Sequence, residues 1–450
     1  MEKRIFGATD GIRGEVGKSP LRPNAIKALG KAISKYFNNG RLLVGRDTRE
    51  SGVWICDKVA EGAKAQGGST GDLGVLPTPA MRKIIDERDG IVGGVMITAS
   101  HNPASDNGLK VFLGNGDKLS DLQELEIEYN YFADELEADI DPPEVEFEFE
   151  DNPAAVRDYV ALAKEALEHE EDELDGARLV LDSASGAGHY YSKAVFEEFG
   201  IEVEQIDPEP DGKNINGHYG ALYPEKVAKA SKEAGHMGVA LDGDADRIIL
   251  TDEEGRIWDG DRIVILFAEY LREKELLPED TVVLTEYSNF ASAQYLTNIG
   301  VKVEKVVNGD RAVVQKCQEL GAILGGELAG HIIYLPWLKG SDGTFMALFA
   351  LKVIREKGCR LADLWAKYEN MPSRQWAVKV REKKPLEDLP EWNGALAAAT
   401  NRLDGAGRIF TRYSGTENKL RILVEGEKIE VVEEVGDALR ELVEKELGDD

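Results

Sequence analysis

Short runs of Val, Ile and Leu recur along most of the chain, separated by stretches with helical amphipathic spacing, and this alternation limits the fold more than any other feature. The runs "RLLVGRD", "IVGGVMITA", "LKVFL", "RLVLDS", "IEVEQID", "GVALDGD", "TVVLTEY", "VKVEKVV" and "HIIYLPW" read as strands. They are too apolar for strands with one wet face, so helices must cover both sides of the sheets they build. "PNAIKALGKAISKYF", "AAVRDYVALAKEALEHE", "DGDRIVILFAEYLREKEL" and "GTFMALFALKVIREKG" supply that cover. The fold class is α/β.

One core does not grow to 450 residues, so several domains are expected. The stretch 134–151, "DELEADIDPPEVEFEFED", combines two prolines with dense carboxylates and reads as a solvated connector closing a first domain over 1–150. Further boundaries near Glu253-Glu254-Gly255 and near Met371 give 151–254, 255–370 and 371–450. The last piece changes pattern: strand "WAVKVRE", helix "EWNGALAAATNRL", strands "RIFTRYS" and "KLRILVEGE", then a long helix. That run predicts a small two-layer α+β domain.

The net charge of −30 disfavours nucleic acid as a partner, because the overall field repels a phosphate backbone. An anionic substrate would need its own focused patch of Arg and Lys. Cys56, Cys317 and Cys359 are far apart and lack metal-type spacing, so no disulfide framework or zinc site is expected. The start lacks an apolar leader and no later run suits a membrane span, so a cytoplasmic protein without a membrane partner is expected.

Three segments carry chemistry. In "GVALDGDADRIILTD", Asp242, Asp244 and Asp246 alternate on a glycine-containing turn, where their mutual repulsion calls for a hard cation. A calcium-binding EF-hand is excluded, since Arg247 stands where that loop needs glycine and the flanks read as strands. Mg²⁺ is the expected ion. In "RIFTRYSGTENKLRILVE", Arg412, Ser414, Gly415, Thr416 and Asn418 form a Ser/Gly-rich loop with Arg421 returning beside it, a set of donors suited to a phosphate dianion. In "LGGELAGHIIYLPW", Glu327 and His331 bracket a turn that could accept vicinal hydroxyls, though taken alone it reads more readily as a β-turn with a surface acid.

"MITASHNPASDNGLK" (96–110) follows a buried strand with Ser100 and His101 side by side. A serine near an aspartate-held cation can carry a phosphoryl group, with His101 and Lys110 as proton-transfer candidates. The rival Ser-His-Asp hydrolase lacks the G-x-S-x-G elbow, and neighbouring side chains on an extended strand end should face opposite ways. "RGEVGKSP" is not a P-loop, because Ile12 replaces the first glycine and Pro20 follows the serine. "LVLDSASGAGHYY" puts Tyr191 in the third glycine's place of a dinucleotide fingerprint and reads as a strand-to-helix turn.

Taken together and in order, "TASHNP", "DGDADR", "GELAGH" and "RYSGTEN" resemble the phosphoserine, metal, sugar and phosphate loops of the α-D-phosphohexomutases, with smaller matches at "VGRDTRESG", "LPTPA", "PDGKNIN" and "WDGDRI". The resemblance implies three related mixed α/β domains and a small C-terminal domain around a central cleft. It implies that Ser100 carries a phosphate and binds Mg²⁺ with Asp242, Asp244 and Asp246, that Arg13 and Arg247 lie near that centre, and that Lys110 is a general acid/base. The implied reaction passes through a hexose or glucosamine 1,6-bisphosphate, with a small phosphosugar as partner and the chain a monomer or homodimer. "FGATDGIRG" resembles the "FGTDGIRG" of the phosphoglucosamine mutases, with Ala8 inserted, which implies a glucosamine phosphate ahead of glucose or mannose phosphates. Departures are Ala329, where the family's sugar loop has serine, and Tyr413 and Asn418, where its phosphate loop has prolines.

Overall fold

The computed structural model describes residues 4–7, 11–133, 140–144, 152–168, 173–367, 369–414 and 418–448. Among the described residues, four sheets follow one another along the chain. The first contains β1 (Ile12–Glu15), β2 (Arg41–Arg46), β3 (Ser69–Val75), β4 (Ile91–Ile97) and β5 (Asp106–Leu113), in the order β1-β5-β4-β2-β3. Strand β2 runs parallel to β3 and β4, while β5 returns antiparallel to β4.

The second sheet repeats the plan with β6 (Arg178–Asp182), β7 (Glu202–Gln205), β8 (Met237–Leu241), β9 (Ile248–Thr251) and β10 (Ile257–Trp258), ordered β10-β9-β8-β6-β7. Here β6 is parallel to β7 and β8, and β9 returns antiparallel to β8. The third has β11 (Thr281–Thr285), β12 (Lys302–Val306), β13 (Leu324–Gly326) and β14 (Ile332–Tyr334), ordered β12-β11-β13-β14. Again three strands are parallel and the last returns. The fourth sheet is antiparallel: β15 (Ser373–Lys379), β16 (Gly407–Tyr413) and β17 (Lys419–Gly426), ordered β15-β17-β16.

The common plan has one consequence for the site. In each of the first three sheets a single turn joins the last parallel strand to its antiparallel return, and these turns are 98–105, 242–247 and 327–331. The serine, aspartate and glutamate segments singled out in the sequence therefore occupy equivalent places in three successive units.

One continuous core joins these sheets, through Leu43 and Met96 from the first, Leu181 and Leu241 from the second, and Leu284 and Ile332 from the third. The fourth sheet has its own core of Val378, Trp392, Ile422 and Leu439, as the change of pattern beyond Met371 led one to expect. Strands β1, β3, β10 and β13 were not anticipated, whereas β9 is the strand expected on the far flank of the aspartate turn. Strand β13, "LGG", has almost no side-chain signal because its neighbours leave no room: a Cβ on Gly326 would sit 2.6 Å from Val264 Cγ2, and one on Gly325 2.7 Å from Val283 O.

The three cysteines form no disulfide, and among the described residues no helix is long and apolar enough to cross a membrane. The acidic connector falls mostly outside the described residues, as do Ala8, Gly415 and Thr416.

Candidate active site

Strand β4 delivers Ser100 to the cleft floor, where it is 2% exposed. The chain is not extended there. Ser100 adopts φ +52°, a left-handed conformation that a residue with a Cβ holds only when its surroundings enforce it. This overturns the expectation that Ser100 and His101 face opposite ways: Ser100 Oγ lies 3.2 Å from His101 Nδ1 and donates to Asp242 Oδ2 at 2.9 Å. Burial, followed by Arg247 and Arg13, lowers the His101 pKa to about 4, so its imidazole is neutral at pH 7.

Asp242, Asp244 and Asp246 are buried, and each offers an oxygen within 4.8 Å of the other two. Burial and then the neighbouring Asp246 and Asp244 push Asp242 up to about 8, the direction in which buried, crowded carboxylates move. Among the described residues, Asp244 Oδ1 and Asp246 Oδ1 are buried without a hydrogen-bond partner. Orphaned, convergent carboxylate oxygens beside a serine hydroxyl fit a small hard cation such as Mg²⁺.

Backbone contacts fix this turn from three sides. Thr78 N donates to Asp244 O at 3.0 Å, Ala187 N to Gly243 O at 2.8 Å and Gly343 N to Ala245 O at 3.0 Å. Lys110, on β5, is 2% exposed and bridges Asp244 Oδ2 at 2.8 Å and Asp246 Oδ2 at 3.0 Å. The structure thus puts Lys110 behind the carboxylates, holding two of them together.

A cleft of about 1040 Å³ opens above these groups, and its wall includes Arg13, Ser100, His101, Asp246, Arg247, Glu327, His331 and Arg412. Arg247 donates from its backbone N to Asp242 Oδ1 at 3.1 Å and from Nε to His331 Nε2 at 3.0 Å, tying the aspartate turn to the glutamate turn. Glu327 is not a surface acid. It is 6% exposed, and Oε1 accepts from Gly309 N at 2.9 Å.

Ala329 is exposed at the tip of its turn and stands apart from the cleft wall. Of the C-terminal set, Arg412 on β16 reaches the cleft and pairs across the sheet with Arg421 on β17. Ser414 is buried, its N donating to Lys419 O at 2.8 Å, while Asn418 is exposed with its carbonyl taken by Val380 N at 2.9 Å.

Several contributors escaped the reading of the sequence as candidates. Thr78 Oγ1 donates to Asp244 Oδ2 at 2.5 Å, and the only trace of it was its place in "LPTPA". A Cβ on Gly186 would come within 2.6 Å of Gly243 Cα, so this glycine of the false dinucleotide fingerprint makes room for the aspartate turn. Lys118 and Asp310 pair at 2.7 Å and Arg311 meets Asp121 at 3.0 Å, joining the first and third units across the cleft wall.

Fold and site together define a phosphohexomutase. Profiles of the phosphoglucomutase/phosphomannomutase family match in order: alpha/beta/alpha domain I over 3–138, domain II over 157–255, domain III over 259–371 and the C-terminal domain over 376–442. The chain belongs to this family. Within it, the chain is 36% identical to a phosphoglucosamine mutase of Bdellovibrio bacteriovorus, covering 99% of this chain and 100% of that one. It is 38% identical to that of Solidesulfovibrio magneticus over 99% and 100%.

Among solved structures, a phosphoglucomutase/phosphomannomutase family protein of Burkholderia thailandensis shares the fold at TM-score 0.76 and 20% identity, covering 98% of this chain and 97% of that one. N-acetylphosphoglucosamine mutase of Aspergillus fumigatus, in complex with GlcNAc-6P and magnesium, does so at TM-score 0.63 and 17% identity, covering 98% and 96%.

Proposed function

We propose that this enzyme interconverts glucosamine 6-phosphate and glucosamine 1-phosphate, with Ser100 as the phosphate carrier. The observation that carries the assignment is the Ser100 hydroxyl, 2.9 Å from Asp242 Oδ2 in the aspartate cluster and open to a cleft lined by Arg13, Arg247 and Arg412. Mg²⁺ bound by Ser100, Asp242, Asp244 and Asp246 would offset the charge of the transferring phosphoryl group.

A sugar hydroxyl attacks the phosphorus of phosphorylated Ser100, the Ser100 Oγ–P bond breaks, and the hydroxyl proton passes to a base of this chain, His101 on the cleft wall, while Lys110 holds two of the aspartates. The product is a 1,6-bisphosphate. It turns end for end, its other phosphoryl group returns to Ser100 Oγ, and a proton returns to the sugar oxygen left behind. Arg412, with Ser414, Gly415, Thr416, Asn418 and Arg421, would grip the phosphate that is not reacting. Glu327 and His331 would orient the ring between the two ends.

Glucosamine is favoured by "FGATDGIRG" and by relatives bearing the phosphoglucosamine mutase name. The exposed Ala329, which lacks the family's hydroxyl, supports a second reading with glucose or mannose phosphates as further substrates. A side-by-side assay of glucosamine, glucose and mannose 6-phosphates, primed with catalytic glucose 1,6-bisphosphate, separates the two. The first reading expects the highest kcat/KM for the amino sugar, and equal values would overturn it. The reading further includes a cytoplasmic enzyme, monomer or homodimer, working on a small phosphosugar without nucleic acid or membrane.

A further inference from the structure

We infer that Arg49 and Asn216 form a clasp across the first two units that sets the left-handed backbone at Ser100, and that both are positioning residues for phosphoryl transfer. Arg49 is fully buried where β2 leads into the helix Ser51–Ala65. Its five N–H donors are all engaged. Nε donates to Asp47 Oδ2 at 2.9 Å, Nη1 to Pro103 O and to Asp106 O at 2.8 Å, and Nη2 to Ser100 O at 2.9 Å and Asn102 O at 2.8 Å. Despite its place behind a phosphate carrier, it has no donor left for phosphate. Its two terminal nitrogens grip the loop backbone, and Nε is held by Asp47.

Asp47 continues the grip from below. It accepts from Thr98 Oγ1 at 2.7 Å, and the same hydroxyl oxygen accepts from Ser100 N at 2.8 Å. Asn216, in the second unit, takes hold of the same carbonyls from the other side. Its Nδ2 donates to Ser100 O at 2.8 Å and Asn102 O at 3.0 Å. Asn216 is itself left-handed at φ +57° and is fixed through its N to Ala184 O at 2.9 Å.

Two more bonds knit the segments together: Thr48 Oγ1 to Ser185 O at 2.7 Å and Glu50 N to Gly212 O at 3.0 Å. The two motifs "VGRDTRESG" and "PDGKNIN" thus meet at the carbonyl oxygens of Ser100 and Asn102. Without the clasp the loop relaxes toward extended backbone, where successive side chains diverge and Oγ leaves the aspartates. The sugar contacts lie on other loops, so kcat should fall while KM for the phosphosugar holds.

This rests on Ser100 being the phosphate carrier, and the test keeps the two claims apart. Asn216→Gly preserves the left-handed backbone and deletes the amide, whereas Arg49→Lys preserves the charge and loses the planar fork. For each, kcat and KM are measured, together with the rate at which glucose 1,6-bisphosphate loads phosphate onto the protein, followed by intact mass.

A misplacement on the order of 1 Å lowers kcat by roughly 100-fold, the fall expected for Arg49→Lys. Asn216→Gly is expected to fall in the same direction by less, with phosphate loading slowed in parallel and KM unchanged in both. Wild-type kcat in Asn216→Gly, or a raised KM at unchanged kcat, overturns the clasp. If Arg49→Lys does not fold, Asn216→Gly decides alone. Ser100→Ala is run beside them: activity in that variant removes the phosphoserine reading itself, while an inactive Ser100→Ala with a fully active Asn216→Gly removes only the clasp.

Discussion

Ser100 combines a strained backbone, a buried hydroxyl and an aspartate partner, so a change confined to Oγ should be felt in chemistry more than in folding. Ser100→Ala is expected to unfold at the wild-type temperature, take up no phosphate from glucose 1,6-bisphosphate and lose mutase activity by at least ~10³-fold, read by intact mass and a coupled assay. The aspartates should respond differently. Convergent buried carboxylates destabilise the metal-free fold, and a cation that binds only the native state relieves them. Mg²⁺ at about 100 times its Kd should stabilise the wild type by about 2.7 kcal/mol. Asp246→Asn should lose most of that gain in a thermal unfolding series with and without Mg²⁺.

At the scale of elements, the glutamate turn depends on close backbone approach. Gly260 opens the helix Gly260–Glu273, and a Cβ there would lie 1.9 Å from Glu327 O. Gly260→Ala must push the turn aside, so KM for the phosphosugar should rise at least tenfold with phosphate loading of Ser100 unaffected. The pairing of Lys118 with Asp310 gives a pH signature. Burial alone would raise Asp310, but the Lys118 ammonium, followed by His331, holds its carboxyl far below the usual range.

Because the folded pKa is depressed, Asp310 contributes stability above the unfolded value of about 3.9, and this is lost as pH falls toward the folded one. Lys118→Met should therefore move acid unfolding, followed by circular dichroism, to higher pH. The aspartate and serine turns were legible because each strings unusual polar residues directly after an apolar run. Thr78, Arg49 and Asn216 were less so, since their roles lie in contacts with segments far away in sequence. Asn216 reaches Ser100 across 116 positions, and no local pattern encodes that distance. Even a local expectation failed at Ser100 and His101, where the clasped backbone overrode the strand periodicity.

Across the whole molecule, the threefold recurrence of one sheet plan was expected from the resemblance of four loops, but no repeated side-chain pattern in the sequence displays it. Each unit meets its packing needs with different side chains, and only the strand order is shared. The fourth unit stands apart energetically. Arg408 bonds to Glu425 and, at 2.6 Å, to Ser288 O, while Phe290 N donates to Glu425 Oε1 at 3.2 Å, so a partly buried charge pair helps to dock the C-terminal sheet onto the third unit. Arg408→Ala leaves a carboxylate that is 1% exposed with the Phe290 N–H but without its charge partner, a change that costs about 3–5 kcal/mol. Calorimetry should show the C-terminal unit melting separately and earlier.

The aspartate turn has a consequence in time. Its carbonyls are held by Thr78, Ala187 and Gly343, which leave the ribosome far apart in the order of synthesis. Even a nascent chain that has already folded its first two units presents the aspartates without their last anchor. The geometry of the aspartate turn is complete only after Gly343 has emerged, so stalled or truncated chains ending before it should bind Mg²⁺ more weakly than the finished protein.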